Sequence, residues 1–312
     1  MEDLIIYQDA VAIGLAVPST VYGRAGSKHL INGPRGITQL LDDSEHSLLS
    51  ALKESGSFIP GTPDEIAAVC KLISDPLSSR TVSYLLCTAG TCAKVIECMG
   101  ALSCAHVIVL GCGGIGSSLA MLLAGAGVQQ LTLIDPDRIE LSNLNRQLFW
   151  ERKDVGEFKV EILKSAISKR FENVVVNIYA QEMGIDGIYP LAKNGVSGLA
   201  VTADSPGTLA WDANRVSREI KIPVVSGGYF HQHCVANFFC PLTENNLETA
   251  DDIASIWTRL PSSVMPSYGP TNMALAAILC SALISGMTGT MPQGNKIMRW
   301  DSSVHPHDIR LC

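Results

Sequence analysis

The sequence predicts an α/β fold: a mainly parallel sheet flanked by helices, preceded by a small α+β module. Three observations carry that expectation. The apolar run Val107 to Leu110 has the length and β-branching of a buried strand, and Ile115 to Ala126 behind it has helix-forming composition. A second apolar run, Leu131 to Ile134, returns after that helix, as the next strand of a βαβ unit does. A third, Gly198 to Ala203, ends on Asp204, and an acidic residue at the carboxyl end of such a strand faces the ligand crevice of an open sheet.

The turn between the first strand and helix carries the chemistry. Gly111, Gly113 and Gly116 are in G-x-G-x-x-G spacing, with Gly114 as an extra glycine. Glycines suit a tight turn that a phosphate must approach closely, where the N–H groups of a helix start can cradle it. Asp135 follows Gly116 by 19 residues, where an acid meets a nucleotide ribose hydroxyl. These features define a Rossmann-like nucleotide site, and the glycines alone favour NAD. The residues after Asp135 favour a triphosphate. Asp137 is succeeded by Ser142-Asn143-Leu144-Asn145-Arg146-Gln147 and then, after Val155-Gly156, by Lys159. Hydride transfer needs no Arg and Lys here. A triphosphate does, because charge grows on phosphate oxygens as pyrophosphate departs.

IDPDRIELSNLNRQ followed by VGEFKVE resembles the adenylating enzymes typified by ubiquitin-activating enzymes and the bacterial activators of molybdopterin and thiamine sulfur carriers. The resemblance covers about residues 80 to 300. LGCGGIG, the start VTADSP and SFIPG at Ser57 to Gly61 are similar to the peptide-modifying branch, typified by the enzyme that matures microcin C. The resemblance implies ATP and Mg²⁺ as cofactors, with Gly111, Gly113, Gly114 and Gly116 giving backbone contacts. Asp135 and Asp137 then lie at the nucleotide, Asn143, Arg146 and Lys159 neutralise the phosphates, and Asp204-Ser205 holds Mg²⁺ and the adenylate. It also implies a homodimer in which Arg80 reaches the ATP of the other subunit. A narrower likeness, to enzymes of pantocin-type antibiotic biosynthesis, implies that glutamate side chains of a precursor peptide are activated and captured intramolecularly.

Before the nucleotide motif, residues 1 to 79 read as a separate module, with residues 80 to 312 as the ATP-binding domain. Leu4 to Tyr7 and Val11 to Val17 are β-like, and Tyr22 to Gly36 has the Gly, Lys and Arg of a turn. Ile37 to Ser55 and Pro63 to Ser74 carry helical periodicity, with Thr62 or Asp64 able to cap. This suits a winged-helix-like module. The resemblance implies a clamp for a peptide leader, added as a strand to a sheet edge, and a dimerisation arm is the alternative. Pro76 to Ser79 reads as a linker. Later, Val160 to Phe171 and Thr208 to Ile220 read as helices. Val174 to Tyr179, Pro223 to Ser226 and Val235 to Phe239 read as strands, and the resemblance implies that Gly227-Gly228-Tyr229 between the last two lies on the acyl-acceptor side of the pocket.

Composition excludes several classes. The chain has 312 residues, is 47% hydrophobic and carries a net charge of −7, which argues against a nucleic-acid partner. The N-terminus MEDLIIYQDA has acids where a secretory signal needs bases, and Met273 to Met287 is short and rich in small residues, so a cytoplasmic protein with a buried apolar helix and no membrane is expected. None of the ten cysteines is spaced C-x-x-C. Relatives with a structural zinc use two such pairs, so no zinc is expected. His231 with His233, and His305 with His307, lack cysteine partners. Two further functions remain open on sequence: an activator of a ubiquitin-like sulfur carrier, and a non-catalytic peptide-binding protein.

Overall fold

The computed structural model describes residues 2–204, 209–241, 265–290 and 294–303. They pack as two compact units, Met1–Ala101 and Leu102–Cys312. The boundary therefore falls later than 79/80. Pro76 to Ser79 leads straight into a helix of the first unit, and the division lies inside the last helix of that unit.

The first unit is α+β and richer in strands than expected. β1 (Ile5–Gln8), β2 (Val11–Ala16) and β6 (Phe58–Pro60) form one antiparallel sheet in the order β1-β2-β6. β3 (Val21–Ala25), β4 (Lys28–Gly33) and β5 (Gly36–Leu40) form a second, also antiparallel. Residues 21–40 are thus a meander and not a turn followed by helix. Gly26, at φ 63°, and Gly36, at φ 121°, make its two reversals. Helix α1 (Glu45–Glu54) starts only after Ser44, whose side chain accepts from the Ser47 N–H. α2 (Pro63–Ser74) has Pro at its first position and a capping box in which Thr62 and Glu65 satisfy each other's N–H groups. α3 (Ser79–Thr88) and α4 (Cys92–Cys104) complete the unit.

The second unit holds a seven-stranded sheet. Its strands are β7 (His106–Leu110), β8 (Gln130–Ile134), β9 (Val175–Tyr179), β10 (Gly198–Val201), β11 (Val224–Phe230), β12 (His233–Phe239) and β13 (Lys296–Asp301), in the order β13-β12-β11-β10-β7-β8-β9. β9-β8-β7-β10-β11 are parallel, and β12 and β13 add antiparallel at one edge. Parallel strands covered on both faces read as continuous apolar runs, which is why β7, β8 and β10 were visible in the sequence. The helices are α5 (Gly116–Ala126), α6 (Lys159–Arg170), α7 (Ile185–Ala192), α8 (Leu209–Ile220) and α9 (Gly269–Met287). Gly227-Gly228-Tyr229 lies inside β11, paired with β12, and does not form a loop between strands.

By length and composition α9 could cross a membrane, at mean hydropathy 1.4. Here Leu275, Ala276, Leu279 and Leu283 are buried as it runs across β10, β11, β12 and α5. Gly198 on β10 and Gly227 on β11 leave room for Leu283 and Leu279 of α9, so it is a core helix of the unit.

Candidate active site

The chain runs β7-α5-β8-α6-β9 toward one edge, then returns to β10 on the other side of β7. That reversal is the switch point of an open sheet, and ligands bind outside the carboxyl ends of strands there. A cavity of about 840 Å³ opens at this place, within the size range of a small-molecule site. It is lined from β7 by Gly111, Gly113 and Gly114, from β8 by Asp135 and Asp137, and beyond β10 by Thr202 and Asp204. Arg146 and Lys159 also line it. The structure thus gathers into one cavity most of the residues that the sequence nominates.

The glycine turn is held from several sides. Gly111 has φ 89° and lies so close to the β10 exit that a Cβ would stand 2.5 Å from Ala203 N. Gly116 packs under it: a Cβ there would come within 1.8 Å of the Gly111 carbonyl oxygen. Gly116 closes the turn and is not a cavity-lining residue, which corrects its place in the ligand set. Gly113 differs, since a Cβ on it would meet nothing nearer than Gln147 Nε2 at 3.9 Å. Its open side is where a ligand can approach. Thr202 Oγ1 donates to the Gly111 carbonyl at 2.8 Å, tying the turn to the β10 exit.

Asp135 is buried, at 5% exposure. Its Oδ2 accepts from the Cys112 N–H at 2.6 Å and its Oδ1 from the Asp137 N–H at 2.8 Å. The carboxylate therefore fixes the glycine turn, and it keeps lone pairs for a ribose hydroxyl. Burial pushes its carboxyl above the ordinary 3.8, while Lys159 and the two N–H groups pull the other way. Cys112, fully enclosed beside it, has its thiol raised well above the ordinary value by the same burial, and so carries no nucleophile.

Lys159 opens α6 with its Nζ 2.6 Å from Asp137 Oδ2. The lysine side chain is 8% exposed and the aspartate's 63%, so the pair sits at the cavity rim with the cation inward. Arg146 closes a 3₁₀ turn (Leu141–Asn145), and its Nη1 donates to Ser142 O and to Asn145 Oδ1. Asn143 departs from expectation. It is buried, its Oδ1 accepts from the Glu140 N–H at 3.1 Å, and it does not line the cavity. Its amide builds the turn that carries Arg146. Asp204 is exposed, three residues beyond β10, while Ser205 lies outside the described residues. Arg80 is exposed on α3 in the first unit and is not a cavity residue.

Among the described residues no three His, Cys, Asp or Glu side chains cluster as a metal cage. His305, His307 and Cys312 lie outside those residues, and His231, at φ 56°, makes the β11–β12 reversal. Mg²⁺ commonly takes only one or two carboxylates and completes its shell with phosphate oxygens and water. Asp204 fits that use.

Sequence reasoning missed Gln147, Tyr229's fixing role and Asn272. Gln147 is 3% exposed, and its Oε1 accepts from Trp150 Nε1 at 2.6 Å. Its signal was its place directly after Arg146 in the segment 142–147. Tyr229 Oη accepts from the Tyr268 N–H and donates to Ser267 Oγ, fixing the chain that enters α9. Asn272 lies in a stretch without charges that reads only as core.

A parallel sheet with a glycine turn, an acidic strand end and facing cations defines a nucleotide-binding α/β protein. The chain belongs to the ThiF family, whose model matches residues 94–304. Over 129 residues it is 32% identical to the molybdopterin-synthase adenylyltransferase of Salmonella typhimurium, covering 41% of this chain and 50% of that protein. The chain spans half or less of the length of such curated relatives. E. coli MccB solved with AMPCPP and MccA superposes with TM-score 0.70 at 20% identity, covering 94% of this chain and 97% of that one. MccB with ATP gives 0.68 at 22% identity, covering 92% and 96%. PaaA gives 0.62 at 18%, covering 91% and 98%. These likenesses show a shared fold across nearly the whole chain.

Proposed function

We propose that the protein is an ATP-dependent adenylating enzyme that activates a carboxylate of a ribosomally made precursor peptide, its glutamate side chains in particular, for intramolecular capture in the biosynthesis of a peptide-derived antibiotic. One observation carries this reading: the glycine turn, Asp135, Arg146, Lys159 and Asp204 line a single cavity at the sheet's switch point. A peptide carboxylate oxygen attacks the α-phosphorus in line. The bond from that phosphorus to the bridging oxygen breaks, and pyrophosphate leaves with the electron pair. An acyl adenylate remains until a nucleophile takes the acyl group and AMP departs. Arg146 and Lys159 balance charge on the phosphate oxygens, and Lys159 exchanges its Asp137 partner for phosphate as the ligand enters. Asp204, a carboxylate facing phosphates, is consistent with an intervening Mg²⁺. Positioning and electrostatics suffice, so no acid–base pair is needed.

The MccB structures solved with MccA support the peptide as substrate class by likeness of fold. β3, an edge strand with all five residues exposed, is the surface that suits strand addition by a peptide. In the same reading the working form is a cytoplasmic homodimer, with Arg80 serving the partner's nucleotide. A second reading, activation of a ubiquitin-like sulfur carrier, is favoured by the identity to the Salmonella adenylyltransferase.

Purified protein, MgATP and a candidate peptide decide between them. The expected result is AMP and pyrophosphate with a peptide mass change. AMP formation only with a carrier ending in Gly-Gly supports the second reading. Asp204→Asn is expected to bind ATP nearly normally and to slow pyrophosphate exchange by roughly 10²-fold, the scale of losing one transition-state electrostatic contact. Normal exchange in that variant rejects the role given to Asp204.

A further inference from the structure

Asn272 is the one cavity-lining side chain with a wholly buried donor left without a partner among the described residues. The residue is 2% exposed, yet its Nδ2 makes no hydrogen bond. Buried amides are nearly always paired, and leaving one unpaired costs stability. The hydroxyls around it are satisfied: Ser117 donates to Gly113 O, Ser118 to Gly114 O, and Thr202 to Gly111 O.

The surroundings give the amide a direction. A Cβ on Gly114 would stand 2.2 Å from Asn272 Nδ2, so the extra glycine of the motif leaves room for this amide. Asn272 occupies the first turn of α9, whose N-terminus has no side-chain cap. Gly269, which opens that helix, lies against Arg146, with a Cβ there 3.8 Å from Arg146 Cα. Tyr229 holds the entering chain at Tyr268. The starts of α5 and α9 thus meet at one wall of the cavity, and both helix dipoles favour an anion there.

We propose that Asn272 Nδ2, turning out of its sealed position against Gly114 as the ligand enters, donates to a non-bridging oxygen of the nucleotide's α-phosphoryl group. The proposal rests on the cavity being a nucleotide site. Asp135 grips the turn at Cys112 and Asn272 abuts it at Gly114, two residues on. With the ribose at Asp135, the phosphoryl group next along the nucleotide is the α one. It is also the phosphoryl group that the acyl adenylate keeps, so this donor serves ATP and adenylate alike. Asn272 is then a binding residue whose amide is paired only when the ligand is present.

Calorimetry on wild type, Asn272→Ala and Asn272→Asp, with AMP and with α,β-methylene ATP, tests this beside nucleotide-free melting. Asn272→Ala is expected to melt at or above the wild-type temperature, because the orphan amide is gone. It should bind both ligands about ten- to a hundred-fold more weakly, as loss of a hydrogen bond to a charged group does. Asn272→Asp keeps the shape, turns a donor into an acceptor, and should lose at least as much affinity. It serves as the readout if the alanine variant does not fold. Wild-type affinity in the folded variants overturns the proposal. So does a loss seen with the ATP analogue and not with AMP, which would place the amide at a farther phosphate. If the wild-type protein binds neither ligand, the nucleotide reading fails first and this inference falls with it.

Discussion

Two influences on Asp135 pull against each other. Its oxygens pin the glycine turn through the Cys112 and Asp137 N–H groups as a carboxylate does, and burial opposes the charge of that carboxylate. Because its folded pKa is raised above the ordinary 3.8, its protonation adds stability that is present below that value and is lost as pH rises through the raised one. Asp135→Asn does not titrate, and it sets an amide N–H against a backbone N–H, at a cost of about 1–3 kcal/mol for an unsatisfied buried group. The variant should therefore melt lower than wild type, and the gap should narrow as pH rises from about 3.8 and then level off. Melting curves over that range check the sign, and a widening gap would reject it. At this scale the sequence was informative about which residues share the cavity wherever neighbours in the chain are neighbours there, as with Gly111, Gly113, Gly114, Asp135, Arg146 and Lys159. The structural part of Asn143, accepting from the Glu140 N–H, was not legible because it depends on a local turn. Asn272 was invisible because its partner surface, Gly114, is 158 residues away.

The turn between β7 and α5 separates glycines that build the fold from one whose open side faces the cavity. Gly116→Ala drives a Cβ to 1.8 Å from the Gly111 carbonyl, which no rotamer relieves, and should give a protein that fails to fold or melts far lower. Gly113→Ala meets nothing nearer than Gln147 Nε2 at 3.9 Å, so its melting temperature should stay near wild type while nucleotide affinity drops at least tenfold. Normal affinity in Gly113→Ala would mean that phosphate does not pass this side of the turn. Elements were legible where burial imposes a period. β7, β8, β10, α2 and α6 lie within about two residues of their expected places. The meander β3-β4-β5 was not legible, since its residues are polar, glycine-rich and largely exposed, with no apolar alternation to mark strands. α7 was missed for another reason, the Pro190 within it, which reads as a breaker.

For the whole molecule, the reversal of strand order between β7 and β10 converts scattered motifs into one cavity. Pairing order depends on contacts far apart in the chain, so the sequence supplies the strands without saying which lie side by side. The antiparallel edge of β12 and β13 and the unit boundary inside α4 are likewise set by packing. In the proposed reading, the charge arrangement of the assembled cavity suits a triphosphate better than a dinucleotide. Arg146, Lys159 and Asp204 line it together with the glycine turn. Titration calorimetry of the purified protein with ATP in Mg²⁺, and separately with NAD, addresses this without any knowledge of the peptide. ATP should bind with Mg²⁺-dependent affinity and NAD at least tenfold more weakly. Tighter binding of NAD would contradict the adenylating reading.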